Sequence, residues 1–352
     1  MSCAELERSL RICAACMYCD ALCPVFPKLA EISDYAPADL HYLAHLCHNC
    51  RTCLDVCQYA PPHPFAVDLP KALAAQRRRS YAEHVWPRGL APAFRRPALG
   101  AGVFALAALA GALAVVAAKT SPAAPGSFYA VAPWLLLASL AGGTLLWAFV
   151  SLSASGFRFW RTIAPVAPRR RLLRALAPAL RDIVALRHLG GELDCSRGRR
   201  PLHHLMAAGL GLDLAATLSA AALQHLYGIE PPYPWLSVPV LAGAAGGLAA
   251  VAGAAGLLAR EAKRDGEARE TGLNVVLLWA IALVASSGLA LLALRATPAM
   301  PVLLALHFGS VCGLFAMLPL SKLLHAPFRA AALWRAAAED GVSDRGAGSG
   351  DG

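Results

Sequence analysis

Stretches of about 20 mainly apolar residues recur along this chain at 98–118, 129–150, 204–227, 236–259, 273–295 and 301–321. A stretch of that length can lie in the hydrocarbon of a bilayer, where no water satisfies backbone N–H and C=O groups. Only a helix closes those bonds within a single segment. The pattern therefore predicts an all-α membrane domain of six transmembrane helices over 98–329. Composition agrees: 57% of the 352 residues are hydrophobic and 15% are charged, against roughly a quarter charged in soluble domains. The fourth stretch contains "VLAGAAGGLAAVAGAAGLLA". Its small residues let neighbouring helices approach closely, so it reads as a packing helix.

Residues 1–97 are different in kind. They are polar and basic, hold most of the cysteines, and end in the Pro- and Arg-rich linker "RGLAPAFRRP", with Arg95 and Arg96 just before the first span. The opening "MSCAELERSLRICAAC" has no apolar core long enough for a secretory signal. The thiols are then expected in a reducing compartment, where dense Cys-x-x-Cys spacing favours metal over disulfide.

Cys13, Cys16 and Cys19 are spaced C-x2-C-x2-C, with Cys23 after three residues and Pro24 next. Cys47, Cys50, Cys53 and Cys57 repeat the spacing, their proline coming later, in "QYAPPHP". This is the pattern of bacterial two-cluster ferredoxins, in which the fourth cysteine of each run ligates the other cluster. It assigns Cys13, Cys16, Cys19 and Cys57 to one [4Fe–4S] cluster, and Cys47, Cys50, Cys53 and Cys23 to a second. A pair of zinc sites is the alternative, but zinc usually takes two knuckles of two ligands, and these runs do not divide that way. Between the runs, Leu40, Leu43 and Leu46 recur at helical intervals, with Ser33 or Asp34 available as a cap. The module over 1–97 is expected to be helical, with His41, His45 and His48 as solvated or hydrogen-bonded helix residues.

Loop charge sets orientation. The connection after the second span carries Arg158, Arg161, Arg169, Arg170, Arg171, Arg174, Arg181, Arg187, Arg197, Arg199 and Arg200; that after the fourth carries Arg260, Lys263, Arg264 and Arg269. The opposite loops hold Lys119 and Arg295. The positive-inside rule then puts both termini and the cysteine module on the cytoplasmic side of a bacterial inner membrane. The formal charge of +10 reads as topology and contact with anionic lipid rather than nucleic acid. Within the basic loop 157–202, Leu172, Leu176, Leu180, Ile183 and Val184 share one side of a helix that ends at Gly190 and Gly191 and lies along the bilayer face. Residues 330–352, ending "DGVSDRGAGSGDG", read as a disordered tail.

Ionisable groups in membrane spans invite functional readings. His203 and His204 open the third span and His225 closes it; His307 lies near the start of the sixth span and His325 at its end. In one continuous helix His307 and His325 lie five turns apart, about 27 Å, on a common face. His225 falls about 40° off the face of His203 and 60° off that of His204. The set offers axial ligands for one or two haems b: His325 with His203 or His204 at the inner leaflet, His225 with His307 at the outer. The alternative places these histidines in the headgroup zone. Asp213, beside Thr217, reads as hydrogen-bonded structure or as part of a proton path to a quinone. Cys312 reads as a small apolar filler, and neither Cys3 nor Cys195 has an assigned role.

A dicluster module, a basic linker and six spans carrying "PLHH", "QHLYG", "LALHFG" and "SKLLHAPFR" together resemble the tricarballylate- or citrate-utilisation protein B family (TcuB/CitB). The resemblance runs from about Cys13 to Arg329. It implies a separate cytoplasmic FAD-dependent dehydrogenase, oxidising tricarballylate to cis-aconitate, whose electrons this chain passes into the membrane. The histidine placement also resembles dihaem subunits such as the membrane subunit of nitrate reductase.

The chain has no G-x-G-x-x-G after a strand, no nucleophile motif and no catalytic carboxylate pair in its polar part. The expectation is an electron-transfer subunit without a substrate site of its own, feeding the membrane quinone pool. An electron-transfer subunit of another redox complex, such as a thiol- or sulfur-linked reductase, is the alternative. A redox-sensing transporter is a more distant one, since the spans lack the paired charges and broken helices of a dicarboxylate path.

Overall fold

A computed structural model describes residues 3–118, 128–165, 167–187, 189, 198–262 and 272–346. Among them the regular structure is helical throughout, with no strand. The chain forms two compact units: one comprises residues 1–95, 151–200 and 323–352, the other residues 96–150 and 201–322. Lys119, Cys195, Arg197, Lys263, Arg264, Arg269 and the Gly190–Gly191 helix end lie outside the described residues.

The first unit begins with α1 (Cys3–Cys16), α2 (Val25–Ala30), α3 (Pro37–Leu46), α4 (Thr52–Asp55) and α5 (Leu69–His84). Pro37 starts α3, pre-set for a first helical turn that needs no N–H there. The expected Ser33 or Asp34 cap is replaced by Ala36, with no side-chain cap bond. At α5 the Asp68 side chain accepts from Lys71 N at 3.0 Å. From Leu40 to Leu46 every residue of α3 is buried, so α3 is the core element of this unit rather than an amphipathic surface helix.

Two later segments complete the unit. α9 (Arg169–Val184) packs Ala175 and Ala179 inward against α14 (His325–Gly346). The tail expected to be disordered from 330 is therefore helical to Gly346. Aromatic burial and charge hold it where the low-complexity end alone would not. Phe328 stacks on Phe159 at 4.4 Å and 7°, and Trp334 on Trp160 at 4.4 Å and 12°. Lys28, its side chain 4% exposed, pairs with Asp340 at 2.7 Å. Arg335 pairs with Asp39 at 3.0 Å and lies over the Tyr42 ring.

The second unit supplies the membrane helices. Six helices are long and apolar enough to cross a bilayer: α6 (Pro97–Ala117), α8 (Trp134–Ile163), α10 (Arg199–Tyr227), α11 (Val238–Ala262), α12 (Leu273–Ala293) and α13, Met300–Met317 extended by a tight turn to Leu320. A short α7 (Phe128–Val131) precedes α8, and α8 and α10 each run on in sequence into the first unit. Leu106, Leu109 and Leu113 on α6, Leu218 on α10, Leu248 on α11 and Trp279 on α12 all face outward, the inside-out distribution expected of lipid-facing helices.

Small residues set the helix spacing. A Cβ at Gly209 of α10 would lie 2.5 Å from the Ala250 nitrogen of α11, and one at Gly253 would lie 2.6 Å from the Met206 nitrogen. The reading of α11 as a close-packing helix therefore matches its place. On the opposite pair, a Cβ at Gly111 of α6 would meet Gly309 of α13 at 3.1 Å. Cys312 is buried in this seam, among Val115, Leu304 and Phe308.

Candidate metal centres

The eight cysteines fall on the ends of short helices and the turns between them, where backbone can curl around a guest. Cys13 and Cys16 end α1. Met17 then takes φ +49°, turning the chain back toward Cys19 and Cys23. Asn49 at φ +52° and Arg51 at φ +69° do the same inside the second run. Neither is glycine, so these left-handed turns are strained conformations held by their surroundings.

The structure brings the two runs together crosswise. Cys13, Cys16, Cys19 and Cys57 line one pocket, walled by Ile12, Tyr18, Phe26, Tyr59 and Val67. Burial, then the neighbouring Cys57, Cys19 and Cys16, push the Cys13 thiol up to about 12. Burial, then Cys47, push the Cys23 thiol up to about 12, with Cys50 acting in the same direction. The Cys53 thiol is raised by burial and then by Cys47, Cys23 and Cys50. In each set the crowded thiols raised in this way, Cys13 and Cys19 in one and Cys23 and Cys53 in the other, resist ionising unless a cation core takes their charge. A polynuclear iron–sulfide core held by four thiolates fits this donor set.

The two sets are supported differently. Around the first, Gln58 Nε2 donates to Cys16 Sγ at 3.7 Å, and Cys19 Sγ to the Cys53 carbonyl at 3.9 Å. Around the second, arginines converge on backbone carbonyls. Arg77 donates to Ala44 O at 2.9 Å and Cys47 O at 3.1 Å; Arg329 donates to Cys47 O at 2.8 Å. Sequence reading missed these arginines, because no local spacing marks a residue that reaches another loop from a distant helix.

It also missed the burial of the nearby histidines. His41, His45 and His48 are 4%, 1% and 9% exposed, not solvated. His45 Nε2 meets Ser80 Oγ at 3.1 Å, and His41 Nε2 meets Glu83 at 2.9 Å. His84, which carried no sequence signal, sits edge-on to His41 at 5.1 Å, its ring nitrogens engaged by Ser80 O and Thr162 Oγ1. Burial is the first cause holding His41, His45 and His84 below the ordinary histidine value.

The membrane-edge histidines are placed as follows. His307 Nδ1 lies 3.2 Å from Ser287 Oγ of α12, and a Cβ at Gly288 would press on its ring at 2.9 Å. His225 packs edge-on to Trp134 at 4.8 Å. His203 and His204 lie in the first turns of α10. The expected common face of His307 and His325 does not exist. The helix breaks after Met317, Pro319 follows, and Ser321 is extended at φ −110° and ψ 175°. His325 begins a new helix, in the first unit. Asp213 accepts at its backbone oxygen from Thr217 Oγ1 at 3.0 Å. Its Oδ1 lies beside Gly246 of α11, where a Cβ would stand 2.5 Å away. Arg295 is buried, donating to Tyr233 O at 2.8 Å and lying over the Trp235 ring at 4.1 Å.

The chain matches the family described as Citrate utilization protein B over residues 94–347, and that family's Fer4-like domain over residues 6–83. It is 37% identical over 352 aligned residues to the Citrate utilization protein B of Escherichia coli, covering 96% of this chain and 92% of that one. The chain belongs to the citrate utilization protein B family. Its Fer4-like domain takes in α1 through most of α5 and all eight clustered cysteines, a domain type that points to iron–sulfur electron transfer. The family's second part takes in all six membrane helices, α9 and α14. No solved structure matches the chain.

Proposed function

We propose that this chain reoxidises a cytoplasmic FAD-dependent dehydrogenase of the tricarballylate type and delivers the electrons to the membrane quinone pool. One [4Fe–4S] cluster would be held by Cys13, Cys16, Cys19 and Cys57, and a second by Cys47, Cys50, Cys53 and Cys23. When bound, such clusters supply one-electron carriers between a two-electron flavin and the lipid phase. The observation that carries the reading is the crosswise grouping of thiols, with Cys57 in the pocket of the first run and Cys23 beside Cys47 and Cys50.

This chain's own residues shape both sites and leave their cysteines half-buried, with Cys19 buried. The walls at Tyr18, Phe26, Tyr59 and Val67 give the first set an apolar lining, while the buried helix α3 is capped at its end by Cys47, the first cysteine of the second run. Haem b is proposed in the membrane part. His307 carries the best support, since Ser287 fixes Nδ1 and leaves Nε2 to bind iron, the arrangement of ligating imidazoles generally. His225, His325, His203 and His204 complete the candidate set, and Asp213 is the candidate proton group for quinone reduction.

Both termini are proposed to face the cytoplasm, by the loop arginines. α9 supports this orientation. Leu173, Leu176, Leu180 and Val184 form an exposed apolar stripe, with exposed Arg170, Arg174 and Arg181 along its flank, the make-up of an interfacial helix on anionic lipid.

The test is anaerobic. Purified protein reduced by the flavoprotein and its substrate should bleach its broad visible absorbance and regain it on adding a soluble quinone. Cys57→Ser and Cys23→Ser should each abolish one iron–sulfur signal. Sharp reduced bands that disappear in His307→Ala would establish haem there. Protein that the flavoprotein cannot reduce overturns the reading.

A further inference from the structure

The segment Ala44–Asn49 feeds the chain into the second cysteine run, and guanidinium groups from three distant elements close on it. Arg77 of α5 donates Nη1 to Ala44 O and Cys47 O. Arg329 of α14 donates Nε to His45 O at 3.3 Å and Nη2 to Cys47 O. Arg199, in the first turn of α10, donates Nη1 to Asn49 O at 3.2 Å. Arg77 is 3% exposed.

Capping explains part of this. The last carbonyls of α3 lack partners within the helix, and a basic side chain satisfies them. Capping does not require three permanent cations, two of them sharing one cysteine carbonyl. The first cysteine set has a different setting. Its wall is apolar and aromatic, formed by Ile12, Tyr18, Phe26, Tyr59 and Val67, and the side chain that donates to its cysteine Sγ is the neutral Gln58.

The electrostatic consequence follows from sign. A cluster gains negative charge on reduction, so fixed positive charge nearby favours the reduced state, most strongly where burial keeps water away. The negative end of α3 points at the second set and works in the opposite direction. A helix end carries about half a charge, and each guanidinium a whole one.

We propose that Arg77, Arg329 and Arg199 hold the reduction potential of the Cys47, Cys50, Cys53 and Cys23 site above that of the Cys13, Cys16, Cys19 and Cys57 site. This gives electron flow its direction. One electron leaves the first site, which is oxidised by one, and enters the second, which is reduced by one; no bond or proton changes place. The inference rests on the iron–sulfur reading above, and it makes these arginines positioning residues for charge rather than catalytic ones.

The experiment is a redox titration, followed by electron paramagnetic resonance, of the full chain purified anaerobically in detergent. Wild type should show two one-electron steps. In Arg329→Gln one step should fall by at least tenfold in equilibrium constant, about 59 mV, while the other stays fixed as an internal reference. Arg77→Gln should shift the same step further, and Arg329→Lys should restore most of the loss. Full iron content with both steps unmoved in Arg329→Gln and Arg77→Gln overturns the proposal. So does a shift in Arg329→Lys equal to that in Arg329→Gln, since geometry and not charge would then be the cause. Should Arg77→Gln lose iron, Arg329→Gln and Arg199→Gln decide; loss of iron in all three makes the arginines structural and ends the proposal. Failure of the underlying reading looks different: wild-type protein would then lack iron and acid-labile sulfide.

Discussion

Arg329 Nη2 donates to the carbonyl oxygen of Cys47 at 2.8 Å, joining residues 282 positions apart. Beside this bond, Tyr42 donates to Glu339 at 2.9 Å and Lys28 pairs with Asp340. The last helix is thus a wall of the cysteine module, although a whole membrane domain separates them in sequence.

Deleting that wall tests its importance. A chain stopped after Leu324 loses Phe328, Arg329 and Trp334 together. The expected outcome is protein that inserts but retains about half the iron of wild type, with the second cysteine set emptied. Iron analysis of membranes carrying the two forms checks it, and equal iron in both would contradict the wall's role.

Phe328 is fully buried between Phe159, Tyr81 and His84. Phe328→Ala should destabilise the first unit by about 3–5 kcal/mol, the range for deleting a buried aromatic ring. Denaturant unfolding in detergent, followed by the fluorescence of the stacked Trp160 and Trp334, measures it. A loss under about 1 kcal/mol would mean that the aromatic cluster does not anchor α14.

The buried histidines predict acid sensitivity. His41, His45 and His84 all have folded pKa values below the ordinary one, burial being the first cause. Between about pH 6.5 and the lower folded values, the unfolded chain binds protons that the folded chain does not. Stability therefore falls as pH drops through that window, by up to about 1.4 kcal/mol per pH unit for each group. Thermal unfolding from pH 7.5 to 5.5 should show the decline, and His84→Gln should flatten its slope. An unchanged slope in that variant would remove His84 from the effect.

The membrane part was largely legible because lipid leaves the backbone few choices. The six apolar stretches became helices α6, α8 and α10–α13, with ends within a few residues of expectation except where α8 runs on to Ile163 and α10 starts early at Arg199. The cysteine spacing also carried its crosswise grouping, since three thiols on one tight run leave the fourth to come from elsewhere. Long-range burial was not legible. His45 and Arg77 look like surface residues in their own windows; Ser80 and Tyr81 of α5, with Phe159 and Phe328 from far along the chain, cover His45. The five-turn match of His307 with His325 misled because it assumed an unbroken helix across Pro319 and Ser321.

Helix spacing in the second unit gives a paired test. Gly209→Ala puts a methyl group against the α11 backbone and should cost about 1–3 kcal/mol by overpacking. Gly142→Ala on α8 meets nothing within 4 Å and should be neutral or mildly stabilising. Thermal stability of the two purified variants measures the contrast, and equal stability would mean that α10 and α11 are not in close contact.

The most direct test of the central claim is elemental. Anaerobically purified protein should contain about eight iron atoms and eight acid-labile sulfides per chain, as two [4Fe–4S] clusters require. One or two zinc atoms per chain with negligible iron and sulfide would contradict it.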